Sequence, residues 1–187
     1  MLKIAITGNI ASGKSQVEKI LAEKYHFPVY DADKIAHIKL NEINDFYGYN
    51  VFTDGKIDRK KLGELVFKNP ELKRKLENII HPKVKKEIIE IFKKHSQEKC
   101  VFVSIPLLYE TGFDKLFDKV ILVLVDSNVQ LTRLIKRNNL SIEEANLRIA
   151  SQLPQSQKIK RADFIIENNG SLENLYNEIS EAVIPFI

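Results

Sequence analysis

Hydrophobic positions along the chain follow two alternating patterns. Predominantly apolar runs at 2–6, 27–30, 100–105, 119–125 and 162–167 predict short strands buried on both faces. The run 119–125 is the most hydrophobic, which predicts a central strand. Between the runs, apolar residues recur at helical spacing. Val17, Ile20, Leu21 and Tyr25 follow the first run, and 34–40 follows the second. Leu62, Leu65 and Val66 mark a helix over 59–67, and Leu72, Leu76, Ile79 and Ile80 mark a third. Pro82 reads as the first-turn proline of a fourth, with Val84, Ile88, Ile91 and Phe92 inward. Asp126-Ser127 caps a helix to about Asn138 that turns Leu131, Leu134 and Ile135 inward, and Ser141-Ile142-Glu143-Glu144 is a capping box. The last helix carries Leu172, Leu175, Tyr176, Ile179 and Val183. Asp54-Gly55 signals a tight turn. Strand and helix alternating in this way argue an α/β layered fold on a parallel sheet.

The junction of the first strand and first helix reads Gly8-Asn9-Ile10-Ala11-Ser12-Gly13-Lys14-Ser15, which fits G-x-x-x-x-G-K-[ST] at every fixed position. Gly8 and Gly13 let the backbone wrap closely around phosphate oxygens. The loop N–H groups and the helix N-terminus aim partial positive charge at the same anion. Lys14 supplies a full charge for the β- and γ-phosphates, and Ser15 a hydroxyl for Mg²⁺. The loop and Gln16 behind it are thus the nucleotide-binding candidates.

Composition narrows the setting. The 187 residues fit one domain with inserted subdomains, 44% hydrophobic and 29% charged, with net charge +4. That mild excess suits a polyanionic small molecule, and neither a basic stripe nor interleaved aromatics argue for nucleic acid. The single cysteine, Cys100, has no internal partner, so a reducing cytoplasm is the expected compartment and a buried hydrophobe the expected role. No run is long enough for a membrane span, and with the folded pattern starting at Leu2 no signal peptide is expected.

Further candidates lie where an open sheet collects ligands, beyond the carboxyl ends of its strands. Asp31-Ala32-Asp33 closes the second strand; one aspartate is expected to cap the following helix and the other to do chemistry. Arg133, Arg137, Arg148, Lys158, Lys160 and Arg161 crowd one region, which favours a lid closing over phosphates above a merely solvated face. A GTPase would show D-x-x-G after the third strand and N-K-x-D beyond it, but that strand ends in Ile105-Pro106-Leu107-Leu108. A small-molecule kinase, needing a carboxylate at the acceptor and cations on the moving phosphoryl group, fits better. A regulatory nucleotide-binding module would need neither.

In these motifs the chain resembles the dephospho-coenzyme A kinase family over nearly its whole length. The match takes in the loop 8–15, Asp31-Ala32-Asp33, Arg59 with Leu62-Gly63, His81-Pro82, Pro106-Leu107-Leu108-Tyr109-Glu110, Arg133 with Arg137, Arg148-Ile149-Ala150-Ser151-Gln152, and Asn168-Asn169-Gly170. The resemblance implies a P-loop kinase fold with a five-stranded parallel sheet flanked by helices. Its core would be 1–40, 98–126 and 161–187, with a helical coenzyme A-binding insertion at about 41–97 and a lid at about 127–160. It implies transfer of the ATP γ-phosphate to the ribose 3′-hydroxyl of dephospho-CoA, with Mg²⁺, by a cytoplasmic protein expected to be monomeric. By resemblance Asp33 acts at the acceptor hydroxyl, Arg137 and Arg148 reach the ATP phosphates, and Asn169 lies near adenine. Asp31, Arg59, His81, Leu107 and Glu110 face the acceptor, although His81 beside Pro82 also reads as a cap. Two positions depart from the family: Gln16 replaces its usual Thr, and Asn9 the second residue of its usual Gly-Gly. Asn tolerates left-handed backbone, so the loop is still expected to form. A kinase for a nucleoside, nucleoside monophosphate or sugar-like acceptor is the alternative.

Overall fold

Strand β1 (Leu2–Thr7) buries Ile4, Ala5, Ile6 and Thr7 completely, as a strand covered on both faces does. The computed structural model describes residues 1–40, 51–53 and 56–187, apart from the side chains of residues 52, 53, 56, 59, 60, 67, 68 and 182. The turn expected at Asp54-Gly55 lies outside the described residues. The chain divides into two units, Met1–Tyr30 with Lys94–Ile187, and Asp31–Lys93. Boundaries were expected near 41 and 97, so helix 32–40 goes with the second unit.

The first unit is built on a five-stranded parallel sheet. With β2 (Val29–Asp31), β5 (Cys100–Ser104), β6 (Lys119–Leu124) and β7 (Phe164–Glu167), its order is β2-β5-β1-β6-β7. Ile4 stands beside Phe102 of β5, and Ile6 beside Ile121 of β6. The centre is therefore β1, and β6, expected there, is interior but one place aside. An apolar run reports cover on both faces, which several inner strands share; it carries no information about their order. Helices α1 (Lys14–Glu23) and α8 (Leu172–Ala182) bring Val17, Ile20, Leu21, Leu175 and Ile179 onto the sheet residues Ile4, Ile6, Phe102 and Ile121. Each such fully buried aliphatic side chain contributes about 1.5–3 kcal/mol. Cys100 is part of this core, and burial, against the opposing charge of Lys99, pushes its thiol up to about 11.

Chain order sets up the crevice. The crossover from β1 leads to β2 on one side, and the chain later passes from β5 across β1 to β6 on the other. At such a reversal the loops leaving neighbouring strands diverge and open a site at their carboxyl ends. The loop after β1 occupies it. Beyond β6 come α5 (Ser127–Asn138), α6 (Ile142–Ala150) and α7 (Gln155–Ile159). Both capping-box bonds of α6 form: Glu144 N–H donates to Ser141 Oγ (3.1 Å) and Ser141 N–H to Glu144 Oε2 (2.9 Å).

The second unit comprises α2 (Ala32–Leu40), a short antiparallel pair β3 (Phe52–Thr53) and β4 (Lys56–Ile57), α3 (Arg59–Lys68) and α4 (Pro70–Lys94). The two helices expected on either side of Pro82 are one, with Pro82 inside it. A mid-helix proline forfeits one backbone hydrogen bond. Here the stripe Ile80, Val84, Ile88 and Phe92 runs on in steps of four, and burying it outweighs that loss. The first-turn proline is Pro70, behind Asn69, whose Oδ1 accepts from the N–H of Glu71 and Leu72 (3.1 Å each). Lys39 and Glu87 pair at 3.0 Å and tie α2 to α4.

Candidate functional site

The phosphate loop is held in shape by close approach. At Gly13 the backbone is left-handed, φ 91°, and a Cβ there would run into the side-chain amide of Asn168. That amide donates to Ser12 O (2.8 Å), while Asn168 O accepts from Arg133 Nη1 (2.8 Å). A Cβ on Gly8 would stand 2.6 Å from both Ser12 Oγ and Val123 O, so glycine is what lets the loop pass over β6. No side chain caps α1; the Gln16 N–H turns back to Gly13 O (2.9 Å), which leaves those of Lys14 and Ser15 to face an anion. Lys14 folds back across the loop, Nζ donating to Gly8 O at 3.1 Å. Ser12 Oγ is buried and has no hydrogen-bond partner among the described residues. Left-handed glycine, uncapped helix start and folded-back lysine together fit a bound polyphosphate.

A cavity of about 630 Å³ opens from this loop. Gly13, Ser15 and Gln16 form one side, Arg133, Lys136 and Arg137 of α5 another, and Leu172 and Leu175 of α8 an apolar wall. Of the arginines expected at the phosphates, Arg137 lines this cavity. Arg148 is exposed on α6 and does not. Asn169, expected near adenine, is also absent from the lining; its Oδ1 accepts from the N–H of Asp126 (2.7 Å) and ties the turn after β7 to the start of α5. Asn168 lines the cavity instead. Sequence reasoning placed Arg133 in the basic crowd without a role, and nothing local separates Asn168 from Asn169.

The basic crowd divides. Lys158 has no exposed side-chain surface and lies 3.0 Å from Glu110 Oε1, so it is an ion-pair partner in the core rather than a lid cation. Arg161 bonds Asp114 Oδ2 (2.8 Å) and covers the Tyr109 ring at 4.0 Å. Burial, opposed by Arg161, raises the Tyr109 hydroxyl to about 12. Gln155 brackets the backbone of Val125, donating to its O (2.8 Å) and accepting from its N–H (3.2 Å). Helix α7, placed by sequence inside the lid 127–160, is thus bound to the end of β6. Glu110, expected to face the acceptor, also accepts from Leu153 N–H (3.0 Å). Burial raises its carboxyl, but the bonds from Leu153 and Lys158 outweigh that and hold it below the ordinary carboxylate range. Leu107, in the turn after β5, is exposed.

The other acceptor-side candidates belong to the second unit. Asp31 Oδ1 accepts from the N–H of Asp33 (2.8 Å) and Lys34 (3.4 Å), which makes Asp31 the cap of α2. Asp33 is exposed in the first turn. Arg59 opens α3, its side chain outside the described ones. His81 lies within α4 rather than at a cap.

The family profile described as dephospho-CoA kinase matches residues 2–174. The dephospho-CoA kinase of Fusobacterium nucleatum is 45% identical over 94% of this chain and 94% of that protein. The chain belongs to the dephospho-CoA kinase family. The solved structure of the dephospho-CoA kinase from Campylobacter jejuni superposes with a TM-score of 0.74 at 38% identity, covering 96% of this chain and 94% of that one. Shikimate kinase from Acinetobacter baumannii, solved with shikimate, shares the fold alone, with a TM-score of 0.57 at 21% identity over 97% of this chain and 92% of that one. Asn9 was expected to be accommodated through left-handed backbone, and the structure gives it a different role. Asn9 does not use left-handed backbone; the residue that does is Ala11, φ 62°. Asn9 instead donates from Nδ2 to Leu153 O (3.1 Å).

Proposed function

We propose that this dephospho-CoA kinase family member transfers the γ-phosphoryl group of ATP to the ribose 3′-hydroxyl of dephospho-CoA, giving coenzyme A and ADP, the last step of coenzyme A synthesis. The observation that carries the reading is the cavity in which the helix start of the phosphate loop, the basic face of α5 and the apolar side of α8 meet. A nucleoside triphosphate offers phosphates to the first two and a base to the third.

The acceptor oxygen attacks the γ-phosphorus, the bond to the bridging oxygen breaks, and ADP leaves. In the loose transition state of such transfers little proton has moved. Asp33 therefore acts first by aiming the hydroxyl and takes its proton late. Loop N–H groups and Lys14, released from Gly8 O, hold charge on the β- and γ-oxygens, and Arg137 adds to it from α5. Ser15 would hold Mg²⁺ through its hydroxyl, and the ion would supply further positive charge at the phosphates. Gln16 has no side-chain hydroxyl to offer a phosphate, and its backbone N–H donates to Gly13 O (2.9 Å). On this reading Arg148 reaches the phosphates only when α6 closes. The protein works in the cytoplasm as a monomer, and light scattering of the purified chain tests the oligomeric state.

The acceptor is tested with purified protein, Mg²⁺ and ATP against dephospho-CoA, AMP, UMP, cytidine, adenosine and shikimate, with mass detection. The expected result is one product heavier by a single phosphoryl group, from dephospho-CoA, with AMP and adenosine far weaker, because binding of the pantetheine arm helps position the 3′-hydroxyl. Efficient transfer to UMP or shikimate with dephospho-CoA untouched would overturn the acceptor and keep the kinase.

A further inference from the structure

Both backbone polar groups of Ile10, at the apex of the phosphate loop, are taken by glutamine side chains distant in sequence. Its N–H donates to Gln152 Oε1 (2.7 Å), and its O accepts from Gln130 Nε2 (2.8 Å). The backbone fixes which amide atom faces which group, since an N–H only donates and a carbonyl only accepts. Gln130 is 2% exposed and sits in the first turn of α5; Gln152 follows α6. Next to Gln152, Leu153 is held on both sides, its O by Asn9 Nδ2 (3.1 Å) and its N–H by Glu110 Oε1 (3.0 Å), and Glu110 is itself paired with the buried Lys158. The segment carrying α5 and α6 thus starts and ends on one residue of the phosphate loop.

We propose that Gln130 and Gln152 are positioning residues that pin Ile10 and so set the phosphate loop in its nucleotide-binding shape, with both ends of the α5–α6 segment moored there. Two consequences follow. The Ile10 N–H is spent on Gln152, so the phosphate-facing N–H groups begin at Ala11. Arg137, between the two moorings, has its distance from the phosphates fixed through the same residue. The role rests on the nucleotide reading of the cavity and is independent of which acceptor is used.

The test compares Gln152→Met with Gln152→Glu in the full chain. Glutamate keeps an oxygen acceptor for the Ile10 N–H, while methionine keeps the length and loses the acceptor. Amide exchange by NMR in the absence of nucleotide, and calorimetric affinity for Mg²⁺ with a non-hydrolysable ATP analogue, are the readouts. We expect slow exchange at Ile10 in the parent and in Gln152→Glu, and fast exchange in Gln152→Met. Affinity in Gln152→Met should fall about 3–10-fold, the effect of one neutral hydrogen bond, with the melting temperature little changed. Gln130→Met, which leaves Ile10 O without its donor, should weaken nucleotide binding alike; if it does not fold, the Gln152 pair decides alone. Fast exchange at Ile10 in the parent, or parental affinity in Gln152→Met, overturns the proposal. No binding of the analogue by the parent would instead overturn the nucleotide reading, and inactivity on dephospho-CoA with these results intact would touch only the acceptor.

Discussion

Lys14→Ala lowers turnover by roughly 10²–10³-fold, ~2.7–4 kcal/mol of transition-state stabilisation, the scale of removing one preorganised electrostatic group. The lysine follows a left-handed glycine at an uncapped helix start, and its ammonium already lies over the loop, 3.1 Å from Gly8 O. Leaving that carbonyl for a phosphate oxygen needs only a side-chain rotation. Lys14→Arg should not restore the rate, because a planar guanidinium is bulkier than the point charge the tight loop accommodates. Steady-state kinetics paired with thermal melts check both variants. Near-parental turnover in Lys14→Ala would remove the loop from the chemistry, whereas a collapse of the melting temperature would show the lysine to be structural.

The aspartate pair carries the second large effect. Asp31 spends its carboxylate on the N–H groups of Asp33 and Lys34, and asparagine caps a helix about as well as aspartate. Asp31→Asn should therefore leave turnover close to the parent. Asp33→Asn keeps the size and removes the charge that orients the acceptor hydroxyl and takes its proton, and kcat should fall about 10²–10⁴-fold, with nucleotide affinity close to the parent. Measuring kcat and nucleotide affinity for both variants separates the roles. If Asp31→Asn proves the more damaging to turnover, the assignment within the pair is reversed.

What the sequence disclosed and what it withheld divide along sequence distance. The strand, loop and helix at 2–25, the capping box at Ser141 and the apolar face of α8 are local, each written in a few neighbouring residues, and they were legible. Pro82 misled because local preference argues a break while the gain from the apolar stripe is collected over the whole of α4. The identity of the central strand was hidden because burial pattern is blind to strand order. The contacts that escaped detection are those between remote residues: Gln152 and Gln130 with Ile10, Glu110 with Leu153 and Lys158, Asn168 with Ser12. Their residue types are ordinary, and only the fold brings them to the loop. Lys158 is the sharpest case, since a lysine in a basic stretch reads as a lid cation until its carboxylate partner, Glu110, appears beside it.

The protonated state of Cys100 bears on the thiol chemistry of the proposed product. Coenzyme A ends in a thiol, and its disulfide form is an electrophile toward any thiolate it meets. Exchange needs the thiolate, and with the Cys100 thiol raised to about 11 only about one molecule in ten thousand carries it at neutral pH. The sulfur is also covered, at 1% exposure. The protein should therefore be inert to its product's disulfide. Incubation with coenzyme A disulfide followed by intact-mass measurement should show no adduct on the folded chain and one adduct after unfolding in denaturant; modification of the folded chain would mean that β5 opens far more readily than its burial implies.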